Sequence, residues 1–399
     1  MHVIALAVEA SAGAAYLGEL PMRALADQGH RAEFVVWDER DAPPPFDLLR
    51  QADVVHMWRL FRAPARRLAT ALREAGVAVV FDNDDDMTRV AKGSPAYREM
   101  KAAREQVATE LGAMLRLTEL VTTTCGELAG RLRRLGGGDV RVVENHVEAG
   151  FLRERREPGE GVTIGWVAAQ EHRGDLRELR LRRTLEQLLA DQPHVALVSV
   201  GVDLGVRSER YAHYPSVAFS ELPDAIARFD LAVAPIADVS FNRVRSNVKV
   251  KEYAAAGVPW LASPIGPYKE LGEAQGGRLV PDYGWTEALT DLVTDREARG
   301  ALAERAAAWG RTQTVTHHVA EWEAVFAEAA ERAGRSVEIS VPRAVAPPSG
   351  VTAGGGAPRS RAIVPRPIVD AADRSVHSPG RDGRPSQSRR GVFRRRASG

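Results

Sequence analysis

Cysteine is all but missing: Cys125 is the only one in 399 residues. A single thiol excludes an internal disulfide and any cysteine-rich zinc site, and it suits a reducing compartment. Lysine is scarce too, five residues against 49 arginines. No apolar run approaches the ~18 residues of a membrane span. The opening MHVIALAVEA has neither the basic n-region nor the cleavage site of a secretory leader. A secreted disulfide scaffold and an integral membrane protein are excluded, and the cytoplasm is the expected location. An excess of one charge is also lacking, with 54 basic residues, 53 acidic and a net charge of +1. That balance hides an asymmetry. Ser340–Gly399 holds 12 Arg and 3 Asp, a net of +9, which leaves the body at −8. An acidic body lacks the basic face that nucleic-acid binding requires, so no specific nucleic-acid partner is expected.

Apolar residues make up 44% of the chain and charged residues 27%, enough for two ordinary domains with their own cores. Short apolar runs alternate with amphipathic stretches. Val3–Val8, Ala32–Val36, Asp53–Met57, Val77–Phe81, Leu120–Thr124 and Val140–Val143 read as strands; Tyr16–Gln28, Ala63–Glu74, Pro95–Leu117 and Leu128–Leu135 read as helices. The polar stretch Glu154–Gly161 reads as a linker. The pattern then restarts, with strands at Val162–Ala168, Val195–Val200, Val217–Phe219, Leu231–Pro235, Pro259–Ser263 and Arg278–Val280. Such alternation predicts parallel sheets covered on both faces. The expected fold class is α/β, with two doubly wound Rossmann-type domains facing a cleft. The expected division is 1–150, 151–316, a helix over 317–335 that packs back on the first domain, and a basic tail over 336–399. That tail is rich in Pro, Gly, Ser and Arg and is expected to be disordered. Its arginines offer weak attraction to an anionic membrane face, which would place the protein peripherally at the inner membrane.

The most informative stretch is Ser246–Glu270, SNVKVKEYAAAGVPWLASPIGPYKE. It reads as a helix from Asn247, a glycine stop, a buried strand from Pro259 and a Gly/Pro turn. Ser246 or Asn247 can cap the helix, whose N-terminus is a natural phosphate seat. Lys249 and Glu252 share one face at i, i+3 spacing. A cation beside a diphosphate and a carboxylate beside vicinal hydroxyls suit a nucleoside-diphosphate ligand. Lys251 falls on another face and is expected to be solvated.

The pattern Lys249, Glu252, Tyr253, Ala255, Gly257, Pro259 resembles the donor-site signature of GT-B glycosyltransferases, especially family 4 (group 1). Ala262-Ser263-Pro264-Ile265-Gly266 with Glu270, and Val162–Val167 followed by His172 and Asp175, resemble further parts of that donor domain. The resemblance implies a GT-B fold and retaining transfer of a sugar from a nucleotide-diphosphate donor to a hydroxyl acceptor, without a metal or other cofactor. It implies that Glu252 holds the ribose and that Lys249 and Arg173 face the diphosphate. His172, Asn247 and Tyr253 would complete the donor site, with Gly13 closing over it from the first domain. Two departures stand out. Val244 occupies the position eight residues before Glu252, where the family often carries a glutamate, and only His172 and Arg173 represent the basic pair after the domain's first strand.

In the first half, Gly13 allows close backbone approach before a helix. His56 and Arg59, in HMWR after the third strand, are expected to face the cleft, with His56 grouped among the catalytic residues. Asp82-Asn83-Asp84-Asp85-Asp86 follows the fourth strand. It reads as an acceptor-side loop through Asp82, Asp84 and Asp85, as a solvated loop, or as a Mg²⁺ site like that of the haloacid-dehalogenase phosphatases. Asn145-His146 reads as a hinge turn, and His317-His318 shows no metal-like partner. Cys125 falls at a helix start, where its pKa could be lowered. A non-catalytic GT-B scaffold or partner subunit is the alternative to a transferase; a metal-dependent phosphatase using the acidic loop is a weaker one.

Overall fold

The computed structural model describes residues 1–90, 97–154 and 159–335. The proposed tail from residue 336 onward lies outside these, as does half of the proposed linker, residues 155–158.

Two six-stranded parallel sheets form the scaffold. The first comprises β1 (His2–Ala7), β2 (Arg31–Val36), β3 (Val54–Trp58), β4 (Ala78–Asp82), β5 (Leu120–Thr123) and β6 (Val140–Val142), in the order β2-β1-β3-β4-β5-β6. The second comprises β7 (Val162–Ala168), β8 (Val195–Gly201), β9 (Tyr211–Tyr214), β10 (Leu231–Ala234), β11 (Trp260–Ala262) and β12 (Gly277–Leu279), in the order β12-β11-β10-β7-β8-β9. Central strands such as β1, β3 and β4 are buried throughout, which explains their uninterrupted apolar runs. Helices cover both faces. Ala63–Glu74, for example, buries Ala65, Leu68, Ala69 and Leu72 and turns its arginines outward.

In open sheets of this kind, ligands bind where the strand order reverses, beyond the carboxyl ends. The reversals fall between β1 and β3 in the first sheet and between β7 and β10 in the second. The loops that follow these strands therefore position the site.

Two local expectations are corrected. Val217–Phe219 forms no strand: Phe219–Glu221 is a 3-10 turn, and Tyr211–Tyr214 is the edge strand. The first helical region starts earlier, at Ala12, and holds a π turn over Ala15–Glu19 before continuing as Leu20–Asp27. The last helix, Val319–Arg332, lies over β3 and β4. Its Glu323 meets His30 at 3.0 Å, and its Glu328 meets Arg141 at 2.6 Å. Among the described residues, no helix is long and apolar enough to cross a membrane.

Candidate functional site

The Val248–Ala255 helix follows the second sheet's β10 and carries the Lys249–Glu252 pair. The Ser246 hydroxyl accepts from Val248 N at 3.0 Å, while Asn247 turns its side-chain amide to Glu144 at 3.1 Å. Lys249 Nζ donates to Glu252 Oε2 at 2.8 Å, and the Tyr16 hydroxyl of the first lobe donates to Glu252 Oε1 at 2.6 Å. Glu252 is only 2% exposed. A carboxylate this deep needs compensating partners, and here one comes from each lobe.

Three neighbours are buried. The Tyr253 hydroxyl is turned inward: it accepts from Val167 N and donates to Val233 O, both at 3.1 Å, joining β7 to β10 inside the lobe. Lys251 is not solvated. It is 1% exposed and donates to Glu144 at 2.7 Å and to Asn145 O at 3.0 Å. Val244 is fully buried and belongs to the first lobe's apolar cluster.

At the β7/β10 reversal, Asp175 ties the two loops together. It accepts from Ala237 N at 2.9 Å and Asn242 Nδ2 at 2.7 Å, and its other oxygen pairs with His172 Nδ1 at 2.8 Å. Burial pushes the His172 pKa down, against the opposing pull of Asp175. Arg173 starts the Arg173–Glu178 helix with its side chain exposed. Arg245 stacks over Phe241 and reaches toward Glu171 at 3.4 Å. Burial works against its charge, but the fields of Asp85 and Glu171 outweigh it and raise its pKa. Asp85 belongs to the opposite lobe, so the two lobes' charged groups sense one another across the cleft.

The first lobe contributes Arg59 from just after β3. Its backbone is left-handed, with φ 55°, an unusual conformation for a residue other than glycine. That turn aims the guanidinium at the acidic loop, with Nε 2.6 Å from Asp84 and Nη2 2.7 Å from Asp85. Trp58 Nε1 also donates to Asp84, at 3.1 Å. Asp86 is held by Arg131 at 2.6 Å and Asp82 by the Thr122 hydroxyl at 2.5 Å. Asp84 and Asp85 thus share Arg59, while Asp82 and Asp86 go to Thr122 and Arg131. Burial raises the Asp85 pKa despite Arg59. A cavity of about 760 Å³ opens beside this loop, lined by Thr88, Arg89 and Lys101 of one lobe and Glu171, Asp175 and Phe241 of the other.

His56 does not face the cleft. It lies within β3, fully buried, with Trp322 and Phe326 edge-on to its ring at 5.4 and 5.6 Å. Its Nε2 is 3.7 Å from Asp82 Oδ2, beyond hydrogen-bond reach, and neither ring nitrogen has a partner. Gly13 lies in the first helical turn rather than before it, and a Cβ there would sit 2.8 Å from the Trp58 ring. Its smallness therefore serves packing within the lobe. Cys125 does begin a helix, but burial raises its pKa. His318 does have neighbours: it stacks on His146 at 3.6 Å and pairs with Glu321 at 2.8 Å. One ligand atom from each of His146, His318 and Glu321 lies within 4.8 Å of the others, the spacing of a three-ligand cluster, so His318 does have metal-like partners.

Neither the family models nor the curated proteins contain a match to this chain. Solved structures do resemble it. HepE of Anabaena, in complex with UDP, is 15% identical and aligns over 82% of this chain and 99% of its own, with a TM-score of 0.57. Sucrose-phosphate synthase of Thermosynechococcus elongatus is 14% identical over 82% and 98%, at 0.55. A glycosyltransferase of Rickettsia africae is 12% identical over 82% and 98%, at 0.58. These likenesses and the paired parallel sheets define the fold class as GT-B, two Rossmann-type lobes with a cleft between them.

Proposed function

We propose that this protein is a retaining, family 4-like glycosyltransferase that moves a sugar from a nucleotide-diphosphate donor to a hydroxyl acceptor. The observation that carries the reading is the Lys249–Glu252 pair, a buried carboxylate and a partly open ammonium at the head of a helix on the cleft boundary. A nucleoside diphosphate presents vicinal hydroxyls and adjacent phosphates, which match a carboxylate and a cation at that spacing. In this reading Glu252 takes the ribose. Lys249, the exposed Arg173 and the helix N-terminus neutralise the diphosphate as it leaves. The anomeric carbon exchanges its bond to phosphate for one to the acceptor oxygen, and the departing phosphate can receive the acceptor's proton. Arg59, Asp84 and Asp85 form the acceptor side, beside the interlobe cavity. Binding of UDP by HepE supports a nucleotide-sugar donor. No metal is needed, because the protein's own cations meet the phosphates.

The scaffold reading keeps one observation in its favour. Val244 is buried in the first lobe's core, so no carboxylate from that position can meet the donor sugar. Among the described residues, the acidic loop brings no three carboxylates close enough to hold one ion, so nothing there favours the phosphatase reading.

Calorimetric titration of UDP, GDP, ADP and dTDP, with and without EDTA, tests the proposal. One nucleotide should bind with or without EDTA, and Glu252→Ala should weaken it at least about tenfold, the loss expected for charged hydrogen bonds to a diol. The matching sugar nucleotide should then turn over with a hydroxyl acceptor. Binding without turnover would support the scaffold, and equal binding by Glu252→Ala would overturn the donor-site assignment.

A further inference from the structure

The Glu252 carboxylate, read above as the ribose ligand, is already occupied. Lys249 holds one oxygen, and Tyr16 from the opposite lobe holds the other at 2.6 Å. A carboxylate can accept about four hydrogen bonds, so valence alone would leave room for a ribose. Access does not: Glu252 is 2% exposed and Tyr16 4%. A ribose can reach Glu252 only if Tyr16 withdraws.

The setting of Tyr16 is suited to withdrawal. It lies in the π turn Ala15–Glu19, between the short Ala12–Ala14 helix and Leu20–Asp27. Such turns carry an extra residue, are rare, and recur at functional sites. Tyr16 crosses to the second lobe at two points. Its hydroxyl meets Glu252, and its ring packs edge-on against Phe219 at 5.3 Å. Phe219 in turn lies 5.6 Å from Phe151, in the segment that connects the lobes. Removing the hydroxyl would leave the aromatic contact in place and release only the carboxylate.

We propose that Tyr16 is a latch on the nucleotide site: its hydroxyl occupies the ribose position on Glu252 and bridges the lobes until a nucleoside diphosphate displaces it. The inference rests on the reading of Glu252 as the ribose ligand. Donor binding then exchanges one hydrogen bond to Glu252 for another. Tyr16 acts through Glu252 and touches no reacting atom, so it is a positioning residue.

Two measurements on the full chain decide the matter, using Tyr16→Phe, which keeps the ring. The first is calorimetric titration of the four nucleoside diphosphates. Tyr16→Phe should bind the preferred one about tenfold more tightly, because a competing hydrogen bond to a charged group is gone. Equal or weaker binding would overturn the latch and leave Tyr16 a packing residue or a ligand contact. The second is small-angle scattering without ligand, where Tyr16→Phe should give a larger radius of gyration. An unchanged radius would overturn the bridging role. A larger radius with unchanged affinity would show a lobe clamp that does not compete with nucleotide, and the proposal would fall. The Glu252→Ala titration fails or succeeds separately: if that variant binds like wild type, the ribose reading is wrong whatever Tyr16 does.

Discussion

Trp322→Ala should destabilise the protein by about 3–5 kcal/mol, the range for truncating a large buried aromatic. Trp322 is 2% exposed and sits on the Val319–Arg332 helix, where it covers β3 and packs against His56 and Phe326. The space it would vacate is not wholly apolar. Both nitrogens of His56 and Oδ1 of Asp82 lack partners there, so water could enter and bridge them, which favours the lower end of the range. The pH dependence carries a further sign. Burial raises the Asp82 pKa, against the opposing pulls of His56 and Thr122. The native state therefore binds this proton more readily than the unfolded chain. Wild-type stability must fall as pH rises from the ordinary carboxylate value through the raised one. Wetting the site in Trp322→Ala brings Asp82 back toward normal and removes part of that fall. The stability gap between the two proteins should thus narrow from about pH 4 upward, as urea denaturation in a buffer series would show. A constant gap would mean that Asp82 stays dry.

The two-sheet architecture is legible because parallel strands buried on both faces leave unbroken apolar runs, and the runs Val3–Val8, Asp53–Met57 and Val162–Ala168 fall on the strands His2–Ala7, Val54–Trp58 and Val162–Ala168. Val217–Phe219 misleads because three apolar residues suit a 3-10 turn as well as a strand, and Phe219 is apolar for the sake of Tyr16 and Phe151. The Lys249–Glu252 pairing is legible because it is local to one helical turn. Its third member is not: Tyr16 lies 236 positions away, and no periodicity ties a tyrosine in one lobe to a carboxylate in the other. His56 is misplaced for the same reason, since nothing in HMWR shows that a helix from the far end of the chain will cover it. Tyr253 fits the donor motif, yet its hydroxyl is consumed by the backbones of two strands. A motif names residue types, and only the packing reveals which of them reach the cleft. Lys251 is the clearest case, a lysine that helical spacing sends outward and the fold takes in.

Glu144→Ala should cost about 2 kcal/mol at neutral pH. A fully buried pair broken from one side loses ~3–5 kcal/mol, and the half-exposed Glu144 side chain softens that loss because water reaches it. The pair spans the lobes' junction: Glu144 follows β6 of the first sheet and also takes Asn247, while Lys251 lies on the helix of the candidate donor site. Burial pushes the Lys251 pKa down and Glu144 opposes it; burial pushes Glu144 up, and Lys251 and Asn247 outweigh that and hold it low. The signs follow from these directions. Glu144 contributes stability that is lost as pH falls through its depressed value. Lys251, depressed in the fold, makes stability rise with pH up to the ordinary lysine range. The pair exists only between those limits, so the deficit of Glu144→Ala should be largest at neutral pH and should shrink toward both acid and alkaline ends. Glu144→Ala combined with Lys251→Met should recover most of the loss, because an apolar side chain carries no charge to strand in the core. Urea denaturation across pH measures both effects. A deficit that is flat with pH, or a double variant no better than the single, would mean that Lys251 is held by Asn145 O and its packing, and that its charge is not what Glu144 stabilises.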